Sequence, residues 1–140
     1  MNKTILLFCL SIFSTVLLAQ TASITVKVEG IQEVSGNMSV AIYNNADDFP
    51  DNDKVLFGER IPVQLETFEY VFKDIPFGTY AIAVYHDLDE DSELTKSWIG
   101  IPKEPYGFSN NVEGGMGPPD FEDASFELKQ DMEISINLKE

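Results

Sequence analysis

Apolar side chains recur at every second position through run after run of this chain, from Ser23 to its end. In SITVKVE, Ile24, Val26 and Val28 point one way and Thr25 and Lys27 the other. Met38, Val40 and Ile42 share a face in NMSVAIYN, Ile61, Val63 and Leu65 alternate, and Phe68, Tyr70 and Phe72 follow. The last run, MEISINLK, sets Met132, Ile134, Ile136 and Leu138 against Glu133, Ser135 and Asn137. A period of two with one apolar and one polar face is what an antiparallel sheet half in water requires. Turn signals separate the runs at Gly36-Asn37, Asp51-Asn52-Asp53, Pro76-Phe77-Gly78 and Gly114-Gly115. No segment carries a helical stripe, apart from a short turn at Asp120, where DFED can cap itself. The pattern predicts an all-β fold: a single antiparallel β-sandwich, immunoglobulin-like or prealbumin-like, of about seven strands.

The first residues, MNKTILLFCLSIFSTVLLAQ, obey a different rule. Lys3 supplies a positive start, Ile5 to Leu18 is mostly apolar, and small Ala19 precedes Gln20. That is a secretory signal peptide over residues 1–19, which sends the product to the periplasm or the medium. The apolar stretch is short for a span and no second one follows, so no membrane insertion is expected after cleavage. Cys9, the only cysteine, leaves with it, so residues 20–140 form one domain without a disulfide, stabilised by its core. Those residues carry 8 basic and 24 acidic side chains, a charge of about −16. Such a surface repels nucleic acid and anionic membranes and favours cations.

GTYAIAVYHD is the best central strand. Tyr80, Ile82 and Val84 lie on one face, and small Ala81 and Ala83 on the other, which something packs over closely. The aperiodic segment after Trp98 is the natural cover, because its aromatic rings Tyr106, Phe108, Phe121 and Phe126 favour an ordered loop. Most of these rings are expected to form a satellite core. The alternative is a platform in which His86, Trp98, Tyr106, Phe108, Asn110 and Asn111 present rings and amides to a glycan or a protein. Lys103 and Glu104 are expected in solvent, with Lys103 in reach of the acidic loop.

That loop, HDLDEDSEL, puts Asp87, Asp89, Glu90, Asp91 and Glu93 within seven residues. Alternating carboxylates in a tight turn converge on one point, and calcium takes six to eight oxygens at about 2.3–2.6 Å. Asp87, Asp89 and Asp91, with the carbonyl of Glu93, are the candidate Ca²⁺ ligands, and hard oxygens without thiols favour Ca²⁺ over zinc or copper. The loop is not an EF-hand: Ser92 stands at the glycine position and Trp98 at that of the bidentate glutamate. A solvated acidic turn is the competing reading.

PFGTYAIAVYHDLDEDSEL, GIPKEPYGFSNN and GPPDFEDASF together resemble the bacterial secreted family known as domain of unknown function 2141. The resemblance implies an exported β-sandwich with no established activity. Members show a strand ending in His-Asp and then an Asp-Asn-Gly type of loop, and here His86 and Asp87 match. Asp89 and Asp91 stand where asparagines are common, and Glu90 and Ser92 where glycines are common.

A hydrolase would pair His86 with Asp87 and a serine such as Ser109. Neighbours on a strand point to opposite faces, and no nucleophile-elbow sequence is present. The expectation is therefore a non-catalytic binding or accessory module with a Ca²⁺ site and a protein or glycan partner. A structural envelope protein without ligand is the alternative, and a small hydrolase comes after both.

Overall fold

The computed structural model describes residues 19–140. The expected signal peptide, apart from Ala19, lies outside the described residues. Eight strands are present among the described residues: β1 (Thr21–Glu29), β2 (Asn37–Tyr43), β3 (Phe57–Pro62), β4 (Phe68–Pro76), β5 (Gly78–Asp87), β6 (Tyr106–Phe108), β7 (Phe126–Leu128) and β8 (Met132–Asn137). They form two sheets, one of order β4-β1-β8 and one of order β3-β2-β5-β6, with β7 also paired to β5. Both sheets lie wholly within residues 21–137. The all-β sandwich is the fold the alternation predicts.

The alternation decides what is buried. Ile24, Val26 and Val28 of β1 are closed to solvent, as are Met38, Val40 and Ile42 of β2 and Ile82 and Val84 of β5. They meet Phe68, Phe72, Leu128, Ile134 and Ile136 in one core between the sheets. On the wet face of the smaller sheet, Lys27 of β1 sits 2.8 Å from Glu133 of β8 and 3.7 Å from Glu69 of β4. At such exposed positions the pairs fix cross-strand neighbours and add little stability.

Two features depart from the alternation. The β1–β8 pair runs parallel, from Ile24↔Met132 to Glu29↔Asn137, whereas every other strand pair is antiparallel. Alternation records which face is buried and carries nothing about direction. Leu65, expected to continue the Ile61–Val63 face, is 67 % exposed because β3 ends at Pro62, while Val63 remains buried. A short helix, α1 (Phe121–Ala124), does follow Asp120, but the Asp120 side chain makes no capping bond.

The two sheets are joined along one edge. Tyr106 N donates to Lys139 O at 2.9 Å, and Lys139 N returns a bond to Tyr106 O at 2.8 Å. Gly107 permits this approach: a Cβ there would lie 2.6 Å from Ile136 Cγ2 and 2.9 Å from Asn137 O. Asn111 extends the seam with its side chain, accepting from Asn137 N at 2.8 Å and donating to Ser135 O at 3.1 Å.

Over the alanine face of β5 lies the expected cover. Ala81 and Ala83 pack with Phe108, Ala124, Tyr106, Val112 and Phe121 in a second cluster. Its hub is Phe49, from the loop after β2, whose ring meets Tyr43, Phe108 and Phe121 edge-on at 5.4, 5.7 and 5.9 Å. Between the stretches of β5 paired by β6 and β7, Ser109 acts as a stand-in strand. Its buried Oγ accepts from Ile82 N at 2.9 Å and donates to Ala124 O at 2.5 Å.

Candidate cation site at the end of β5

The last two residues of β5, paired with Met38 and Asn37 of β2, form a buried pair at the end of the sheet. His86 faces the core side, 1 % exposed, with Nε2 2.7 Å from Ser35 O. Asp87 follows with no solvent exposure at all. Gly36 lets the Ser35 turn seat here: its φ is +64°, and a Cβ would lie 2.2 Å from Asp87 O. No other residue type fits that approach.

A carboxylate buried to this degree needs a counter-charge. It comes from Arg60, the only arginine of the chain, on β3. Arg60 Nη2 pairs with Asp87 Oδ2, and Arg60 Nη1 donates to Ser92 Oγ. Ser92 N also donates to Asp87 Oδ2, at 3.2 Å. One oxygen of Asp87 is thus engaged twice. The other, Oδ1, is buried and has no hydrogen-bond partner among the described residues.

Beside it stand Asp89 and Asp91, both exposed. One carboxylate oxygen each from Asp87, Asp89 and Asp91 lie within 4.8 Å of one another. Oxygens on opposite sides of a calcium ion are separated by about twice the 2.3–2.6 Å bond, so the spacing suits a shared cation. Three carboxylates and one guanidinium leave two net negative charges, which a divalent ion would balance.

The loop holds its shape through its own bonds. Asp89 Oδ1 accepts from Asp91 N at 3.2 Å, and Asp91 Oδ1 from Glu93 N at 2.8 Å. Glu90 and Ser92 adopt φ of +59° and +74°, the left-handed region that glycine occupies at least cost. Tyr85 Oη donates to Ser92 O at 3.0 Å. The root is tied by Glu104, whose carboxylate accepts from Leu88 N at 2.9 Å and from Thr95 N at 3.1 Å. Glu104 was expected in solvent and is instead 5 % exposed, because these two loop N–H groups need an acceptor. Lys103 is exposed as expected.

The proposed platform is dispersed. Phe108 is buried in the second cluster, and Tyr106 packs beside it with ring centroids 5.9 Å apart. Asn110 spends its amide on Asp123 O and Ser125 O, at 3.0 and 2.8 Å, and Asn111 spends its own on β8. Both adopt positive φ, which asparagine tolerates well. Trp98 alone stands free, 96 % exposed. Glu93 is exposed and closes the acidic turn through its N–H.

Sequence reasoning passed over Arg60, Phe49 and the buried role of Glu104. Arg60 had a signal: a lone arginine on an alternating strand of a chain with net charge −15. Phe49 sits inside an acidic turn, where one ring gives no pattern.

A family model described as an uncharacterized protein conserved in bacteria (DUF2141) matches residues 26–136. No curated protein and no solved structure matches the chain.

Proposed function

The chain belongs to the DUF2141 family of uncharacterised bacterial proteins, and from that premise we propose an exported, non-catalytic binding module whose acidic loop holds Ca²⁺. The observation that carries the ion is the buried, unpartnered Oδ1 of Asp87 beside the convergent oxygens of Asp89 and Asp91. A carboxylate oxygen left without a donor is costly to bury, and a cation removes that cost. Export rests on the leader sequence, residues 1–19.

The non-catalytic reading rests on where the reactive groups are spent. His86 Nε2 is held against Ser35 O, and Ser109 Oγ is locked among backbone groups of β5 and α1. An imidazole and a hydroxyl used this way are structural.

Isothermal titration of residues 20–140 with Ca²⁺ and with Mg²⁺ tests the site. Ca²⁺ is expected to bind, and Asp89→Asn or Asp91→Asn to weaken it roughly tenfold or more while leaving the fold intact. At a hundred times its dissociation constant, Ca²⁺ would add about 2.7 kcal/mol to stability. Thermal-unfolding midpoints that Ca²⁺ leaves unmoved, or that Ca²⁺, Mg²⁺ and NaCl at matched ionic strength raise equally, would defeat the proposal.

A structural envelope role without ligand is the second reading. It is favoured by Arg60, which already pairs with Asp87, and by the turn's own N–H groups on Asp89 and Asp91. The same titration separates the two.

A further inference from the structure

Thr95 to Lys103 form a small hairpin that stands on the Glu104 root. Lys103 N donates to Thr95 O at 2.8 Å, and Lys96 bridges to Pro102. Its tip is apolar: Trp98 is 96 % exposed, Ile99 58 % and Ile101 57 %. Elsewhere large exposed apolar side chains such as Val34, Leu56 and Leu65 occur singly, which needs no explanation. Three within four residues, at the end of a projection, do.

The tip is built to leave water. Ser97 N donates to Ile101 O at 2.7 Å, Gly100 N to Ser97 O at 2.8 Å and Ile101 N to Ser97 Oγ at 3.1 Å. Much of its backbone is therefore satisfied internally, which is the condition for entering an apolar medium cheaply. Lys96 and Lys103 are exposed just behind the tip, and neither takes part in an ion pair among the described residues. Behind them comes the acidic loop, whose Asp89 Oδ2 lies 3.5 Å from Thr95 Oγ1. The carboxylates thus stand at the base of the hairpin and Trp98 at its tip.

We propose that this hairpin docks the protein on a zwitterionic phospholipid surface. The layers of the hairpin match those of such a surface in order. Trp98, Ile99 and Ile101 meet the acyl boundary, the lysines meet the phosphates, and the carboxylates meet the outer ammonium groups. Tryptophan favours that depth, and lysine reaches phosphate while its stem stays in apolar surroundings. Among the described residues no helix is long and apolar enough to cross a membrane.

Trp98 is the only tryptophan of the chain, so its emission reports the contact directly. Residues 20–140, in EDTA to keep the result separate from the cation reading, are mixed with vesicles of phosphatidylethanolamine and phosphatidylcholine. The expected result is a blue shift of emission together with co-sedimentation. Ile99→Ser combined with Ile101→Ser keeps the reporter and should lower partitioning roughly tenfold or more. Lys96→Glu with Lys103→Glu should weaken it as well. Pure phosphatidylglycerol vesicles should bind less, given the charge of about −16 on residues 20–140. Unchanged emission with zwitterionic vesicles overturns the proposal. So does equal or tighter binding to phosphatidylglycerol. An emission that is blue without vesicles and depends on protein concentration also overturns it, since the tip then meets a second copy.

Discussion

Glu90 and Ser92 hold left-handed backbone conformations without being glycine. Each stores a conformational cost of about 1–2 kcal/mol that glycine would not incur. Ser92 recovers part of it, since its Oγ accepts from Arg60 and its N–H binds Asp87. The Glu90 side chain makes no hydrogen bond or ion pair among the described residues, so Glu90→Gly is a clean relief. It should stabilise the fold by about 1 kcal/mol, read as a higher urea midpoint at unchanged slope. Tyr43 is a second isolated cost. Its hydroxyl is buried without a partner among the described residues, and burial, reinforced by Asp51, pushes its pKa well above the ordinary tyrosine value. The folded state therefore keeps the proton more tightly than the unfolded chain. Stability from this group is complete below the unfolded pKa of about 10 and falls as pH rises beyond it. Tyr43→Phe should raise stability by about 1–3 kcal/mol at neutral pH and flatten the alkaline loss. Thermal unfolding at pH 7 and at alkaline pH checks both parts.

At the scale of elements, β3, β5 and the Glu104 segment act on one another through charge. Arg60 reaches from β3 to the end of β5, and Glu104 ties Leu88 to Thr95. Removing Arg60 leaves Asp87 buried and unpaired, so Arg60→Ala should cost about 3–5 kcal/mol. If the acidic loop takes a divalent ion, Ca²⁺ should restore more stability to Arg60→Ala than it adds to the parent chain. Urea unfolding of both, with EDTA and with Ca²⁺, gives that difference. The strands themselves were legible in the sequence because alternation states directly which side chains share a face. The face assignment of Tyr80, Ile82 and Val84 against Ala81 and Ala83 follows from it, and so does the need for an aromatic cover. Partners from distant elements were not legible. Period two says nothing of the parallel sense of β1 and β8, nor of which charge lies opposite Asp87. Glu104 sits between Lys103 and Pro105 with no periodicity to mark it as buried. The acidic loop was visible as a cluster, yet the burial of Asp87 depends on Gly36 and Arg60, which lie far away in sequence.

The whole molecule hangs on its first strand. β1 is the middle of its sheet, antiparallel to β4 on one side and parallel to β8 on the other. The Ile24↔Met132 to Glu29↔Asn137 register joins the first and last of the described strands, so β1 is an edge of its sheet until β8 pairs with it. Cutting after Ala19 leaves all of Thr21–Glu29 in place. Cutting a few residues later cannot be tolerated. A chain beginning at Lys27 would lose buried Ile24 and Val26, most of the pairing with β4 and half of the pairing with β8. Each buried aliphatic contributes about 1.5–3 kcal/mol, and domains of this size have only about 5–15 kcal/mol in all. The shortened chain should show no cooperative unfolding transition by circular dichroism, whereas residues 20–140 should show a single one. The same topology sets the folding rate. Pairings that close the whole chain demand loop-closure entropy before they return stability, which places refolding in the millisecond-to-second range typical of all-β sandwiches. Stopped-flow refolding should follow that time scale. Thr25→Ala, on the outer face of β1, should slow it if the closing pair forms in the transition state, and otherwise speed only unfolding.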